Sequence, residues 1–232
     1  MKLHSAHAAG WALFDTPVHR DERGWLIEAL RIDVLRTHAG AVEIVQQNLS
    51  HSRCGVLRGL HYQLGAPQGK LVQVIDGAVH DVIVDLRHGS PHFGTSFANV
   101  LRAAHPRMLW VPPGFAHGFL ALEDSLVLYG LTQPWDATLD RAIRWDSPQL
   151  AIDWPLAGAQ PLVSQRDREA PDFAPDDAAA RWFAQWRPDV VVNCIALGDV
   201  DQCETEPALA MQLNAALPAA LARACERKGT RL

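Results

Sequence analysis

At 232 residues, 48% of them hydrophobic, the chain can bury a sizeable core as one large domain or as one domain with an appendage. Its net charge of -5 comes without a basic run, which argues against nucleic acid as the main partner and leaves single Arg and Lys side chains for isolated phosphate groups. The sequence shows no N-terminal apolar h-region and no run of membrane-spanning length, so a soluble, cytoplasmic protein is expected; Cys54, Cys194, Cys203 and Cys225 lack paired short spacing and read as reduced thiols.

From Trp11 to about Trp154 the sequence breaks into short apolar runs. These are Gly24–Glu28, Val42–Gln46, Lys70–Ile75, Ala78–Leu86, Thr95–Leu101, Met108–Val111, Gly118–Leu122 and Leu126–Leu131. Turn signals separate them, among them Asp76-Gly77, His88-Gly89-Ser90-Pro91 and Pro112-Pro113-Gly114. Such spacing suits an all-β sandwich or barrel. The alternation within Val79–Asp85 is imperfect, which predicts strands buried on both faces. Only Ile32 to Thr37 reads as a helical turn in this region.

Within that β region, Gly55 to Lys70 sets Arg58, His61 and Lys70 among apolar and glycine neighbours. Successive side chains of a strand point to opposite faces, so Arg58 and His61 would diverge in a regular strand. A bulge at Gly59 would bring them onto one face. The plainer alternative is a strand with a satisfied core histidine.

After Trp154 comes a loop-like segment, Ala157 to Asp177, and then the pattern changes. Ala178 to Trp186 has apolar residues at helical spacing, and Pro188 to Cys194 reads as a buried strand. Two alanine-rich helices follow, with Pro207 and Pro218 near their starts and Gly229 beyond the second. Helix, strand and helix in succession is α/β grammar, and the boundary falls near residue 176.

The polar residues at the ends or centres of the β runs are Arg23, Glu28, Gln46, Asn48, Arg58, His61, Lys70, His117, Tyr129 and Arg141, with Asp167 beyond them. A histidine titrating near neutrality is a natural general base, and a carboxylate behind it fixes its tautomer. Asp167 fills that place if the chain returns to the β domain. A lysine stabilises an oxyanion, and a tyrosine delivers a proton from another side. Together these groups describe proton abstraction beside a carbonyl followed by reprotonation. His61 and His117 without carboxylate company make a poor metal site, so no metal is expected. His117 is expected to pin a tight turn by hydrogen bonds.

The runs Gly55-Val-Leu-Arg-Gly-Leu-His-Tyr-Gln63, Gln68-Gly-Lys-Leu-Val72, Gly77-Ala-Val79, Asp81-Val82, Asp85-Leu-Arg87, Ser90-Pro-His-Phe-Gly94, Trp110-Val-Pro-Pro-Gly-Phe-Ala-His-Gly-Phe119 and Ile143-Arg-Trp145 resemble the dTDP-4-dehydrorhamnose 3,5-epimerase family over about residues 10 to 173. The resemblance implies a mainly β, cupin-like jelly-roll barrel over residues 1–176, a homodimer, no cofactor and no metal, and a dTDP-4-keto-6-deoxyhexose as substrate. It implies His61 as base with Asp167 behind it, Lys70 and Arg58 near the sugar carbonyl, and Tyr129 as acid. Arg23, Glu28, Gln46 and Asn48 would hold the nucleotide and its diphosphate, and His117, Trp135 and Arg141 complete the substrate-binding set.

Two positions depart from the family pattern. Trp135 stands six residues after Tyr129 where a second phenol is usual, and it can stack on a base without donating a phenolic proton. Arg166 stands before Asp167 where lysine is frequent. The first change bears on which sugar carbon is processed.

The tail, residues 177–232, resembles an internal piece of dTDP-4-dehydrorhamnose reductase in Arg187-Pro-Asp-Val-Val-Val-Asn-Cys-Ile-Ala196, Val200-Asp201, Glu204-Thr-Glu-Pro207 and Leu213-Asn214. It is read as a short, partial Rossmann-like α/β appendage. The glycine-rich dinucleotide turn expected before this piece is absent, and the catalytic tyrosine and lysine of that family would fall beyond Leu232, so no hydride chemistry is assigned. The favoured reading is an epimerase carrying a structural remnant of a fusion or of a truncated two-enzyme chain; a bifunctional epimerase-reductase and a catalytically silent sugar-nucleotide-binding protein are the alternatives.

Overall fold

The first strands are short because their apolar runs are short: β1 (Lys2–Ala6) and β2 (Ala12–Asp15) pair antiparallel across a turn at Gly10, whose φ is +91°. The computed structural model describes residues 1–87, 89–174, 188–228 and 230–232. A hairpin of β3 (Val18–Asp21) and β4 (Gly24–Ile27) follows, then helix α1 (Ile32–Ala39). The remaining strands are β5 (Gln46–Ser52), β6 (Leu57–Gln63), β7 (Lys70–Asp76), β8 (Ala78–Asp85), β9 (Ser96–Arg102), β10 (Arg107–Val111), β11 (Phe115–Ala121), β12 (Ser125–Leu131) and β13 (Asp140–Ala142). Two antiparallel sheets result, in the orders β1-β2-β10-β7-β12-β5 and β13-β6-β11-β8-β9. This is the mainly β build that the turn spacing predicts, in the jelly-roll arrangement that the resemblance implies.

The core between the sheets draws Leu13, Val72, Leu109 and Val127 from one and Val79, Ile83, Phe115 and Phe119 from the other. The back of each sheet is covered as well. On the six-stranded sheet, Phe14, Leu71 and Trp110 pack with Leu35 of α1. On the five-stranded sheet, Leu57, Leu60, Val82 and Val84 pack with Ile143, Leu150, Trp154 and Phe173 from the segment after β13. That second cover explains the imperfect alternation of Val79–Asp85, since a strand buried on both faces has no polar side to alternate with.

One expected run is displaced. Val42 to Val45 is not a strand; β5 begins at Gln46 and reads Gln-Gln-Asn-Leu-Ser-His-Ser, with partly buried and exposed residues alternating along it. As an edge strand it needs only one half-apolar face, so apolar content misses it. Val42 and Ile44 pack instead on the cluster over the six-stranded sheet.

Of the two readings left open for this strand, the bulge at Gly59 is the one present. Opposite β11, the register steps from His61↔His117 to Arg58↔Phe119, three residues on one strand against two on the other. Gly59 takes φ +116°, and a Cβ there would lie 2.7 Å from Gly118 Cα and 2.8 Å from the His117 carbonyl oxygen. Only glycine fits both the conformation and the space.

After β13 a short helix, α2 (Gln165–Arg168), is capped by the Ser164 hydroxyl, which accepts from the Asp167 N–H at 3.1 Å. By contacts the chain divides into Met1–Phe173 and Ala174–Leu232. In the second unit, α3 (Val200–Thr205) and α4 (Pro207–Met211) lead through a π-helical turn (Gln212–Ala216) into α5 (Leu217–Lys228). The helix expected over 178–186 lies outside the described residues. The strand expected over Pro188–Cys194 is reduced to an isolated parallel bridge between Val190 and Arg231. An apolar parallel strand persists only between neighbours that cover both faces, and here Val190 and Val192 are exposed.

Candidate functional site

Between the two sheets opens a cleft of about 380 Å³. Alternation along β12 aims Tyr129 and Leu131 into it, and the same rule on β5 brings in Asn48. From the facing sheet come Arg58 and His61, placed on one face by the bulge, and His117 from β11. Lys70, the first residue of β7, pairs with Val111 and Leu131 and also lines the cleft. Asp167 arrives from α2, because the segment after β13 returns across the five-stranded sheet.

His61 Nε2 and Asp167 Oδ1 are 2.6 Å apart, and the other oxygen of Asp167 accepts from the Gly59 N–H at 3.3 Å. Asp167 is buried while His61 remains accessible from the cleft. Burial works against ionisation of Asp167, but its hydrogen bonds from His61 and Gly59 together hold the carboxyl below its ordinary value. A charged carboxylate behind an accessible imidazole is a base assembly with a fixed ring.

Lys70 is only 7% exposed, and its ammonium donates to the His61 carbonyl oxygen at 3.1 Å. Burial lowers this group to about 8, with the Asp140 and Asp81 carboxylates resisting the drop. Around neutral pH it is therefore still a cation, in a place where little water competes for it. Arg58 donates to the Ser52 hydroxyl at 2.9 Å and the His51 carbonyl at 3.0 Å, so its guanidinium is anchored to the end of β5.

His117 does not pin a turn. It lies inside β11, and its Nε2 meets Asp81 Oδ2 at 2.7 Å, both side chains being buried. Each histidine thus faces a carboxylate of its own. Sequence reasoning passed over Asp81 as a partner, although a lone Asp inside the apolar run Val79–Val84 is the available signal. It also passed over Asp140, which lines the cleft and is held by Arg166 at 2.7 Å. No spacing in the sequence links those two.

Of the substrate-binding set, Asn48, Arg58, His117 and Trp135 line the cleft. Gln46 stands just behind it, bonded to Asn48 Oδ1 at 3.0 Å and accepting from the Trp135 N–H at 2.8 Å. Arg23, Glu28 and Arg141 do not line it. Arg23 pairs with Asp21 on the exposed hairpin, Glu28 pairs with the N-terminal ammonium, and Arg141 donates to the Thr138 and Asp140 carbonyls.

The model for the dTDP-4-dehydrorhamnose 3,5-epimerase family matches residues 6–175, and that for the RmlD substrate binding domain matches residues 156–232. A dTDP-4-dehydrorhamnose 3,5-epimerase of Pseudomonas aeruginosa is 46% identical over 167 residues, 71% of this chain and 92% of that protein. Among solved structures, the Legionella pneumophila dTDP-6-deoxy-D-glucose-3,5-epimerase in complex with dTDP-4-keto-L-rhamnose is 38% identical at a TM-score of 0.70, covering 74% of this chain and 92% of its own. The Mycobacterium tuberculosis RmlC epimerase is 39% identical at a TM-score of 0.72, with 78% and 92% covered.

Proposed function

Because the chain belongs to the dTDP-4-dehydrorhamnose 3,5-epimerase family, we propose that it inverts a dTDP-4-keto-6-deoxyhexose at C3, C5 or both, without a cofactor. The C4 ketone acidifies the protons on both neighbouring carbons. His61, steadied by Asp167, removes one; Lys70 stabilises the enolate oxygen; Tyr129 returns a proton to the opposite face. The observation that carries this reading is the disposition of the two proton-handling side chains. His61 belongs to the five-stranded sheet and Tyr129 to the six-stranded one, and both line the cleft between them. Inversion needs a base on one face of the sugar and an acid on the other. Asn48, Arg58, His117 and Trp135 are assigned to substrate binding, and a nucleotide-sugar substrate argues for action in the cytoplasm.

Arg23, Glu28 and Gln46 are assigned to the nucleotide end of the same substrate, and a homodimer accounts for the distance of the first two from their own cleft. Trp25 and Leu26 on the hairpin are 60% and 64% exposed, and Leu49 on the outer face of β5 is 62% exposed. Apolar surface on this scale favours a partner, and a second copy would bring its hairpin with it. The segment 177–232 is assigned as a partial reductase-like appendage without hydride chemistry of its own, since no Gly-x-Gly-x-x-Gly turn occurs in it.

The test is incubation with the keto sugar in deuterated water, followed by NMR at C3 and C5. The native protein incorporates deuterium and inverts the sugar, whereas His61→Ala loses both by at least ~10²-fold while still binding dTDP. A folded His61→Ala protein that retains more than a few per cent of the exchange rate sinks the assignment.

A further inference from the structure

Lys70 needs a reason to stay charged. Its ammonium is buried against the His61 carbonyl, and β13, which carries Asp140, is hydrogen-bonded to that same strand with Ala142 opposite His61. Asp140 sits two residues before Ala142, on the same face, and lines the cleft with Lys70. We propose that Asp140 is a positioning residue that supplies the counter-charge keeping Lys70 protonated in the cleft, and that Arg166 sets how strongly it acts. The proposal rests on the epimerase reading above and names what tunes its oxyanion-stabilising group.

The charged and titratable groups around Lys70 separate by element. β6 presents Arg58, His61 and Tyr62, β8 Asp81, β11 His117, β12 Tyr129, β13 Asp140, and α2 Arg166 and Asp167. From β10 only Arg107 is charged; it sits four residues from Val111, the partner of Lys70, and is engaged by Asp15. Three carboxylates are therefore candidates. Asp167 is committed to His61 and Asp81 to His117, at 2.6 and 2.7 Å. Asp140 has no histidine. Its partner is the guanidinium of Arg166, 2.7 Å away and half exposed, while it also acts electrostatically on Lys70 across the cleft that both line. Of the two carboxylates that oppose the lowering of Lys70 by burial, Asp140 has the larger effect. As pH rises through about 8, Lys70 loses its proton and with it the capacity to steady an enolate, so turnover falls on the alkaline side.

The experiment is the pH profile of deuterium exchange for the native protein, Asp140→Asn and Arg166→Gln, with Lys70 titrated directly by NMR of proteins carrying ¹³C-labelled lysine. Removing the carboxylate moves the alkaline limb and the Lys70 titration down by at least about half a pH unit. Removing the guanidinium frees Asp140 to act on Lys70 alone and moves both up. Opposite shifts from two neighbouring residues are not produced by a loss of packing. An unmoved limb in Asp140→Asn, or shifts of the same sign in both variants, overturns the proposal. If Asp140→Asn does not fold, Asp140→Ser is read in its place against the same two outcomes. A native protein that exchanges no deuterium refutes the epimerase reading instead, and the NMR titration of Lys70 then still decides whether Asp140 governs it.

Discussion

Tyr129 carries the division of labour between base and acid. It shares β12 with residues of the six-stranded core and faces Asn48 across the ladder, while His61 stands on the other sheet. If the phenol returns the proton, its loss leaves abstraction by His61 intact. Tyr129→Phe is then expected to keep deuterium exchange within a few-fold of native and to slow inversion by about 10²-fold or more. Following both rates in one NMR time course checks this; an equal loss of exchange and inversion contradicts it. His61, Lys70 and Tyr129 could be singled out from sequence because histidine, lysine and tyrosine are conspicuous when set in apolar strands, while their separate roles came with the family resemblance. Asp81 is legible only as part of a matching run and Asp140 is not legible, because carboxylates are common and each acquires its meaning only from a partner on another element: His117 for the first, Arg166 for the second.

At the scale of the element, the bulge in β6 does the positioning. Without the extra residue, Arg58 and His61 would fall on opposite faces, and one of them would enter the packed layer of Leu57, Leu60 and Trp154. The close approach of Gly59 to Gly118 is the device, and it is reciprocal, since a Cβ on Gly118 would lie 2.7 Å from the Arg58 carbonyl oxygen. Gly59→Ala is expected to cost on the order of 3 kcal/mol, from a positive φ and an overpacked strand pair together. Gly158 has φ +83° with nothing within 4 Å of its Cβ position, so Gly158→Ala isolates the conformational part, about 1 kcal/mol. Thermal unfolding of both variants measures the difference, and equal losses would remove the steric argument. The position of this bulge was legible in Arg-Gly-Leu-His as one of two readings, beside a regular strand with a core histidine. The polar edge strand β5 was not, since an edge strand with one half-buried face carries little apolar signal, and neither was the loss of the 188–194 strand, which depended on neighbours the sequence pattern cannot supply.

At the scale of the whole molecule, every side chain assigned to proton transfer lies between His61 and Asp167. The apolar clusters that hold this region are closed by its own segments, α1 on one side and residues 143–173 on the other. The second unit has a separate small cluster of Val191, Cys225 and Leu221, and its N-terminal loop is tied by Asn214, whose side chain exchanges hydrogen bonds of 2.7 and 2.8 Å with the backbone of Leu197. The surface assigned to the dimer, with Trp25, Leu26 and Leu49, also belongs wholly to the first unit. A protein ending at residue 176 is therefore expected to form the proposed homodimer by light scattering, as the full chain is. Its exchange rate per folded molecule should stay within about threefold of native, a change below roughly 0.7 kcal/mol in the barrier. A folded and dimeric truncated protein without exchange would mean that the tail completes the site. A folded but monomeric one would mean that the tail makes the dimer, and either result would end its reading as an appendage.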